Sequence, residues 1–496
     1  MNAIPLSAEI ANESAPGACK RQHEQQASEP VAISQRLERL QPSRALWRLV
    51  VLLSLGGFFE YYELFSTAFV VPGIIKSGIL TTATTGFFGM TGVAAYIAST
   101  FAGLFVGTSF FGIAADRWGR RAVFTWALLA YSASALMMVL QNNANGLNAW
   151  RLITGVGLGV ELVTIDAYLS ELVPASMRGR AFALNQVITY CAVPTCALAA
   201  WALVPRSPLG IEGWRWVVGM GAAGAVVVWA LRRGLPESPR WLVARGELKR
   251  AHAIVRALEL RAPNAEAGSM PVSHAASTQA HAPAIALVVP RGKKDAGFKA
   301  LWKGKYARRT AMLLLFHLAQ TIGLYGFSNW VPTFLMKQGV TMSNSLAYTF
   351  AIAAINPLGP LLALAYADRF ERKWQIVLAA LLVSAAGLAF AEVRAPWLVI
   401  LCGSLVTIGA TTVSLNFHAY QSELFPTRIR AMAVGFVYSG SRVSGVFSGF
   451  IIAWMLGRHG VSGALAVIAT CMGIVALSVG VLGPRTRGLS LEQIND

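Results

Sequence analysis

Long apolar stretches recur along the chain, each long enough to cross the roughly 30 Å of a bilayer's hydrocarbon core, with short polar segments between them. Twelve spans are predicted, at roughly 47–72, 88–115, 122–141, 150–172, 181–204, 214–233, 308–335, 345–366, 374–392, 397–424, 431–456 and 461–482. Two segments interrupt the rhythm. Residues 1–44 are rich in Gln, Glu, Ser and Ala, and 262–296 in Ala, Pro, His and Ser; neither has the apolar content to offset the entropy of ordering. The pattern thus predicts a disordered cytoplasmic tail over 1–44 and a six-helix bundle over 45–233. A partly disordered cytoplasmic linker over 234–307, a second six-helix bundle over 308–482 and a short cytoplasmic tail over 483–496 complete it. The class is an all-α membrane protein of twelve transmembrane helices in two pseudo-symmetric bundles.

Composition agrees with lipid as solvent. Of the 496 residues, 55% are hydrophobic and 13% charged, against about 25% charged in ordinary soluble domains. The net charge of +19 raises the question of nucleic acid or an anionic surface, and its placement answers it. With the N-terminus cytoplasmic and the spans alternating, 34 of the 42 Lys and Arg fall on the cytoplasmic side. Basic charge is therefore a topology signal and no nucleic-acid partner is expected. A multi-pass protein of the cell inner membrane is expected, with both termini cytoplasmic and no cleaved leader. It is expected to act as a monomer. Cys19, Cys191, Cys196, Cys402 and Cys471 show no metal or redox spacing, so neither disulfide, metal nor other cofactor is predicted. His274 and His281 sit in the polar linker, which reads as solvated chain rather than a metal site.

A repeat underlies the two halves. Asp116-Arg117-Trp118-Gly119-Arg120-Arg121 follows the second span, and Asp368-Arg369-Phe370-Glu371-Arg372-Lys373 follows the eighth, 252 residues on. Tyr168-x-Ser170-Glu171-x-x-Pro174-x-x-x-Arg178 closes the fourth span, and Tyr420-x-Ser422-Glu423-x-x-Pro426-x-x-x-Arg430 the tenth, again 252 residues on. Two motifs sharing one offset imply two units of parallel topology. Paired halves of this kind place a binding site near mid-membrane at their interface and allow rocking between two open states.

Ionisable residues inside spans are functional candidates, since inserting one costs about 2.5–3.5 kcal/mol or more. Glu60 and Glu63 in the first span lie on one side of a helix. Both ionised, they repel, so one is a candidate proton carrier. The fourth span holds Arg151, Glu161 and Asp166. At 1.5 Å per residue, Glu161 and Asp166 lie about 15 and 23 Å beyond Arg151. They extend a proton route or meet substrate, and Asp166 alternatively belongs to the inner mouth. In the second half stand His317, Gln320, His418 and Arg442. Arg442, the one Lys or Arg well inside a span, either binds an anionic substrate through its planar fork or neutralises an intramembrane acid.

Gly112-x-x-x-Asp116-Arg117-x-Gly119-Arg120-Arg121 resembles the signature loop of the major facilitator superfamily. Arg151-x-x-x-Gly155-x-Gly157-x-Gly159, Pro236-Glu237-Ser238-Pro239-Arg240 and Pro484-x-x-x-Gly488 resemble its sugar-porter and metabolite:proton symporter branch. The glycine run sits in an apolar span, not after a strand, so it reads as close helix packing rather than a dinucleotide loop. The resemblance implies a cytoplasmic gate from Asp116, Arg117, Gly119, Arg120, Arg121, Glu171 and Arg178, with Asp368, Arg369, Glu423 and Arg430 opposite. It also implies that Glu63, standing where proton-coupled sugar porters carry an Asp, pairs with Arg151 as the coupling site, with Glu60 beside it. A plain structural ion pair is the alternative.

Substrate class follows from the departures. Gln186 stands where sugar porters have a sugar-binding Gln. Of their next Gln-Gln pair only Gln320 remains, with Ala319 before it; Tyr325 replaces an Asn and His418 a Trp. A sugar site needs many amide partners, because buried polar groups left unpaired cost 1–3 kcal/mol each. The glutamates of the first span instead resemble the acid pair of aromatic-acid symporters. The expected function is proton-coupled transport of a small organic acid, aromatic substrates included, with Gln186, Gln320, Tyr325, His418, Arg442 and Glu161 as substrate residues. A sugar or polyol porter, or an exporter, is the alternative. An enzyme is not expected, for want of a nucleophile–base set or cofactor loop, and a flux-free receptor lacks a folded signalling module.

Overall fold

The computed structural model describes residues 32–33, 35–81, 92–110, 117–231, 234–261, 298–366 and 370–486. The first half comprises α1 (Arg44–Phe69) with a short continuation α2 (Val71–Lys76), α3 (Val93–Phe110), α4 (Arg120–Val139), α5 (Ala144–Leu172), α6 (Ala175–Leu203) and α7 (Gly213–Leu231). Two helices outside the spans follow, α8 (Pro239–Ala244) and α9 (Leu248–Glu259). The second half comprises α10 (Gly304–Ser328) with α11 (Val331–Lys337), α12 (Met342–Ala353) and α13 (Leu358–Tyr366), α14 (Arg372–Glu392), α15 (Pro396–Glu423) and α16 (Thr427–Leu477).

Local chemistry sets these boundaries. The side chains of Ser43 and Asn143 accept from Leu46 N and Gly146 N, capping α1 and α5. Pro174 and Pro426, partners in the 252-residue repeat, both stand at N-caps, of α6 and α16. The eighth span is not one rod. Pro357 has no N–H to continue the ladder, and α12 gives way to α13 there. Conversely, the eleventh and twelfth spans run on as α16, broken by Gly460 with φ +69°. Among the described residues, 10 helices are long and apolar enough to cross a membrane. The break in α16 makes one of these two spans, and the shorter apolar helix Val93–Ser109 supplies the remaining one.

Within the first half α3 and α4 pack on α5, and α1 packs on α6; in the second, α10 packs on α16 and α14 on α15. The close packing around the Gly155 run has a direct cause. A Cβ on Gly155 would stand 2.5 Å from Thr100 O, and one on Gly159 2.6 Å from Leu104 O, so α3 meets α5 backbone to backbone. Between halves, α3 packs on α16, and α6 on α12 and α13. These contacts include the end of the bundle distal to α8 and α9. There Trp201 stacks on Phe350 with ring centroids 6.1 Å apart, and Gly449 lies against Ala94.

One expectation needs correction. The tail was predicted to be without structure to residue 44, yet 35–38 are helical and Ile33, Leu37 and Leu40 are buried. Their i, i+4, i+7 spacing makes one apolar stripe, and it joins a cluster with Leu242, Val255 and Leu258 of the linker helices. Those partners are remote in sequence, which is why local composition missed the docking. Residues 1–31 and 262–297 lie outside the described residues.

Candidate functional site

Where the halves meet, a cavity enclosing about 1170 Å3, its opening to solvent included, is lined from both sides. α1 contributes Tyr61 and Phe65, and α6 contributes Tyr190. From the other half come Gln320 and Tyr325 of α10, His418 of α15, and Tyr438 and Arg442 of α16. The walls are largely aromatic. Tyr61 meets Tyr190 edge-on at 5.4 Å, Tyr325 meets Phe101 at 4.8 Å, and His418 lies 5.8 Å from the Tyr438 ring.

Arg442 is the cation of this cavity. It stands one helical turn after Tyr438, so the guanidinium sits 4.7 Å over that ring and Nη2 donates to the Tyr438 hydroxyl at 3.0 Å. The residue is 5% exposed, its Nε makes no hydrogen bond, and no ion pair neutralises it among the described residues. Burying such a charge is costly without a counter-ion. Glu60 of α1 lies within electrostatic range of it across the interface. His317, just behind the wall, shares a hydrogen bond between Nε2 and Gln421 at 3.0 Å.

A second centre lies inside the first half. Arg151 is fully buried and donates from Nη1 to Glu63 Oε1 at 2.6 Å, from Nη2 to the Glu63 backbone oxygen at 2.7 Å and to Thr67, and from Nε to Thr100 at 2.9 Å. Its guanidinium also packs 5.5 Å from the Tyr96 ring centre. Glu63 Oε2 is buried and accepts no hydrogen bond. Glu63 and Arg151 do not line the cavity, but Leu64, beside Glu63 in the chain, does.

The remaining sequence candidates divide. Gln320, Tyr325, His418 and Arg442 come together in the cavity. Gln186 lies on α6 one turn before Tyr190 and is absent from the lining, as is buried Glu161, whose neighbour Leu162 takes the wall position. Glu60 is buried one turn before Glu63. At the α8–α9 end, Arg120 pairs with Glu171 at 3.0 Å and Arg372 with Glu423 at 2.5 Å, the same pair in each half. Arg178 reaches Glu38 of the docked tail at 3.3 Å. The backbone oxygen of Arg117 accepts from Arg245. These contacts run within a half. Gly119, at φ +99°, turns the chain into α4, where Glu237 accepts from the backbone N–H of Arg120 and Arg121 at 3.0 and 3.1 Å. Asp116, Asp368 and Arg369 lie outside the described residues, as does the Arg430 side chain.

Tyr61, Tyr190 and Tyr438 were not singled out from sequence. A tyrosine in an apolar span reads as packing, but Tyr438 had a signal: it precedes Arg442 by four residues, the spacing that stacks one side chain on the next.

Known proteins share this architecture and chain. A family model described as sugar (and other) transporter matches residues 49–496. The chain is 31% identical to the putative metabolite transport protein YyaJ of Bacillus subtilis over 91% of its own length and 95% of that protein's. It is 27% identical to the niacin transporter NiaP of Acinetobacter baylyi, over 92% and 98% respectively. A partially occluded inward-open structure of the Escherichia coli xylose transporter XylE superposes with a TM-score of 0.69 at 19% identity, covering 90% of this chain and 99% of that one. The aromatic cavity between two pseudo-symmetric halves is thus that of a multi-pass transporter, not an enzyme, and the chain belongs to the sugar (and other) transporter family of the major facilitator superfamily.

Proposed function

We propose that this transporter moves a small organic acid, with aromatic carboxylates foremost, across the inner membrane by proton-coupled alternating access. The observation that carries the substrate class is Arg442. A buried guanidinium on the cavity wall, with an Nε that makes no hydrogen bond and no ion-pair partner among the described residues, suits a carboxylate. Tyr61, Tyr190, Tyr325 and Tyr438 supply ring faces and edges for a flat substrate, with hydroxyls for its polar rim. His418 and Gln320 add donors or acceptors. One relative's name, niacin transporter, denotes cargo of this kind: an aromatic ring bearing a carboxylate.

Coupling is assigned to Glu63 and Arg151. With Glu63 ionised, the pair locks α1 to α5. A proton on the carboxylate weakens that lock and biases the other conformation, and the vacant Oε2 is where it would sit. Glu60, one turn before Glu63 on α1 and in electrostatic reach of Arg442, would link proton state to substrate charge. The Arg120–Glu171 and Arg372–Glu423 pairs brace each half's inner end as the halves rock.

A neutral sugar or polyol is the second reading, favoured by Asn356, Thr349, Thr407, Thr411 and Ser441 around the same cavity. A thermal-unfolding panel on purified protein separates them, since a ligand stabilises the state that binds it. Niacin, benzoate and 4-hydroxybenzoate are expected to raise the midpoint. Stabilisation by xylose or glucose, with none from any carboxylate, would replace this reading with the second.

A further inference from the structure

On the outside of the first half, a groove runs between the start of α1 and the face of α9. It encloses about 1640 Å3, the open solvent at its mouth included. From α1, Arg44, Arg48, Leu49 and Leu52 line it; the two arginines stand one turn apart, with the leucines toward the membrane interior. From α9 and its end come Ile254, Leu258 and Arg261. Two helix faces therefore offer an apolar wall capped by three guanidinium groups.

Those three cations are not matched by protein acids. Arg44, Arg48 and Arg261 are exposed, and none forms an ion pair among the described residues. Nearby carboxylates are engaged elsewhere. Glu259 receives Arg36 at both oxygens, at 2.9 and 2.6 Å; Glu38 is held by Arg178 and Arg240; Glu247 pairs with Arg250. Among the described residues, these acids are neutralised by other arginines and those of the groove are left without an ion pair. Since the basic excess marks this face as cytoplasmic, the groove opens at the headgroup level of the inner leaflet.

We infer that this groove is a binding site for an anionic glycerophospholipid, with the phosphate on Arg44, Arg48 and Arg261 and an acyl chain along Leu49, Leu52, Ile254 and Leu258. Basic pockets beside membrane helices on the cytoplasmic side attract anionic headgroups, and each arginine near the surface contributes about fivefold to affinity. The apolar wall distinguishes a lipid from a soluble phosphate, because only the former has a chain to bury there. Occupancy would tie α9, and through its cluster the docked tail, to the membrane end of α1.

The test uses the full chain purified in detergent and follows the unfolding midpoint against added dioleoylphosphatidylglycerol, dioleoylphosphatidylcholine or glycerophosphoglycerol, the last being the headgroup without chains. Phosphatidylglycerol is expected to raise the midpoint in a saturable way, with the other two weaker by at least tenfold in concentration. Arg48→Gln should weaken the phosphatidylglycerol response about fivefold, and the triple change Arg44→Gln, Arg48→Gln and Arg261→Gln should abolish it. Ala257→Trp, which narrows the groove without touching charge, should also abolish it. Arg48→Gln alone carries the charge test if the triple variant does not purify. Equal stabilisation by phosphatidylcholine or by glycerophosphoglycerol, no response at all, or an Arg48→Gln response equal to the unaltered chain's would overturn the inference.

Discussion

Arg151 holds Glu63 twice, through the carboxylate Oε1 at 2.6 Å and through the backbone carbonyl at 2.7 Å. One guanidinium therefore fixes both the charge and the main chain of α1 against α5. The side chains are 0% and 2% exposed. Removing one member of such a buried pair strands the other, at about 3–5 kcal/mol. Arg151→Met is expected to lower the unfolding midpoint in detergent sharply. The double change Glu63→Gln with Arg151→Met should recover much of the loss, because no charge is then left unpaired. A double variant no more stable than Arg151→Met would show that packing, rather than charge, sets the cost.

Arg442 lines the cavity and carries a buried Nε that makes no hydrogen bond, and hydrogen bonds to charged groups contribute about 1.5–3 kcal/mol. Arg442→Gln is thus expected to weaken carboxylate binding by about 10- to 150-fold. Arg442→Lys should not restore it, since a point charge cannot reproduce the planar fork. Calorimetric titration with niacin would measure both. Unchanged affinity in Arg442→Gln would move the anion site elsewhere.

At Gly155 the α3–α5 contact leaves no room for a side chain, the nearest atom being a backbone oxygen that cannot swing aside. Gly155→Val should cost about 1–3 kcal/mol through overpacking. Because Arg151 lies one turn earlier, the same change is also expected to disturb its bond to Thr100 on α3. Midpoint and uptake measured together would test this; a fully stable, fully active Gly155→Val would refute the packing account.

Glu237 closes the start of α4 by accepting from two of its backbone N–H groups. Glu237→Ala should lower stability by about 1 kcal/mol, the usual worth of a helix cap. In the other half Glu371 instead accepts from Thr486 N at 3.0 Å, a bond between the start of α14 and the chain after α16 rather than a cap. Glu371→Ala should therefore cost about 1.5–3 kcal/mol, the usual worth of a hydrogen bond to a charged group. A loss several-fold larger at Glu237 would mean that the residue does more than cap, and no loss at Glu371 would show that its bond to Thr486 contributes nothing.

The architecture was largely legible in sequence because hydrocarbon thickness imposes span length, and because the 252-residue offset repeats motif by motif. The repeat also reappears in contacts: Tyr168 donates to Pro236 O, and Tyr420, 252 residues on, to Pro484 O at 2.7 Å, each acceptor a proline just past the last span of its half. Charged cavity residues were legible for a related reason, since Arg442 inside a span is too costly to be incidental. What escaped depended on contacts between distant segments. The tail's Ile33, Leu37 and Leu40 need α8 and α9 to bury them. Gln186 and Glu161 matched family positions or carried the right chemistry, but the cavity takes Tyr190, one turn further along the same face of α6 as Gln186, and Leu162, the next residue round α5 from Glu161. Tyrosines in apolar spans give no local sign of whether they face protein, lipid or substrate.

Proton coupling through Glu63 is the claim on which most else rests, and uptake into proteoliposomes with the external medium made acidic tests it directly. The unaltered chain is expected to accumulate labelled niacin, or whichever carboxylate most raises the unfolding midpoint, above equilibrium, and to lose that accumulation when the pH gradient is collapsed. Glu63→Gln should abolish uphill accumulation while preserving counterflow exchange down to equilibrium. Uphill accumulation by Glu63→Gln equal to that of the unaltered chain, or accumulation indifferent to the gradient, would contradict the account.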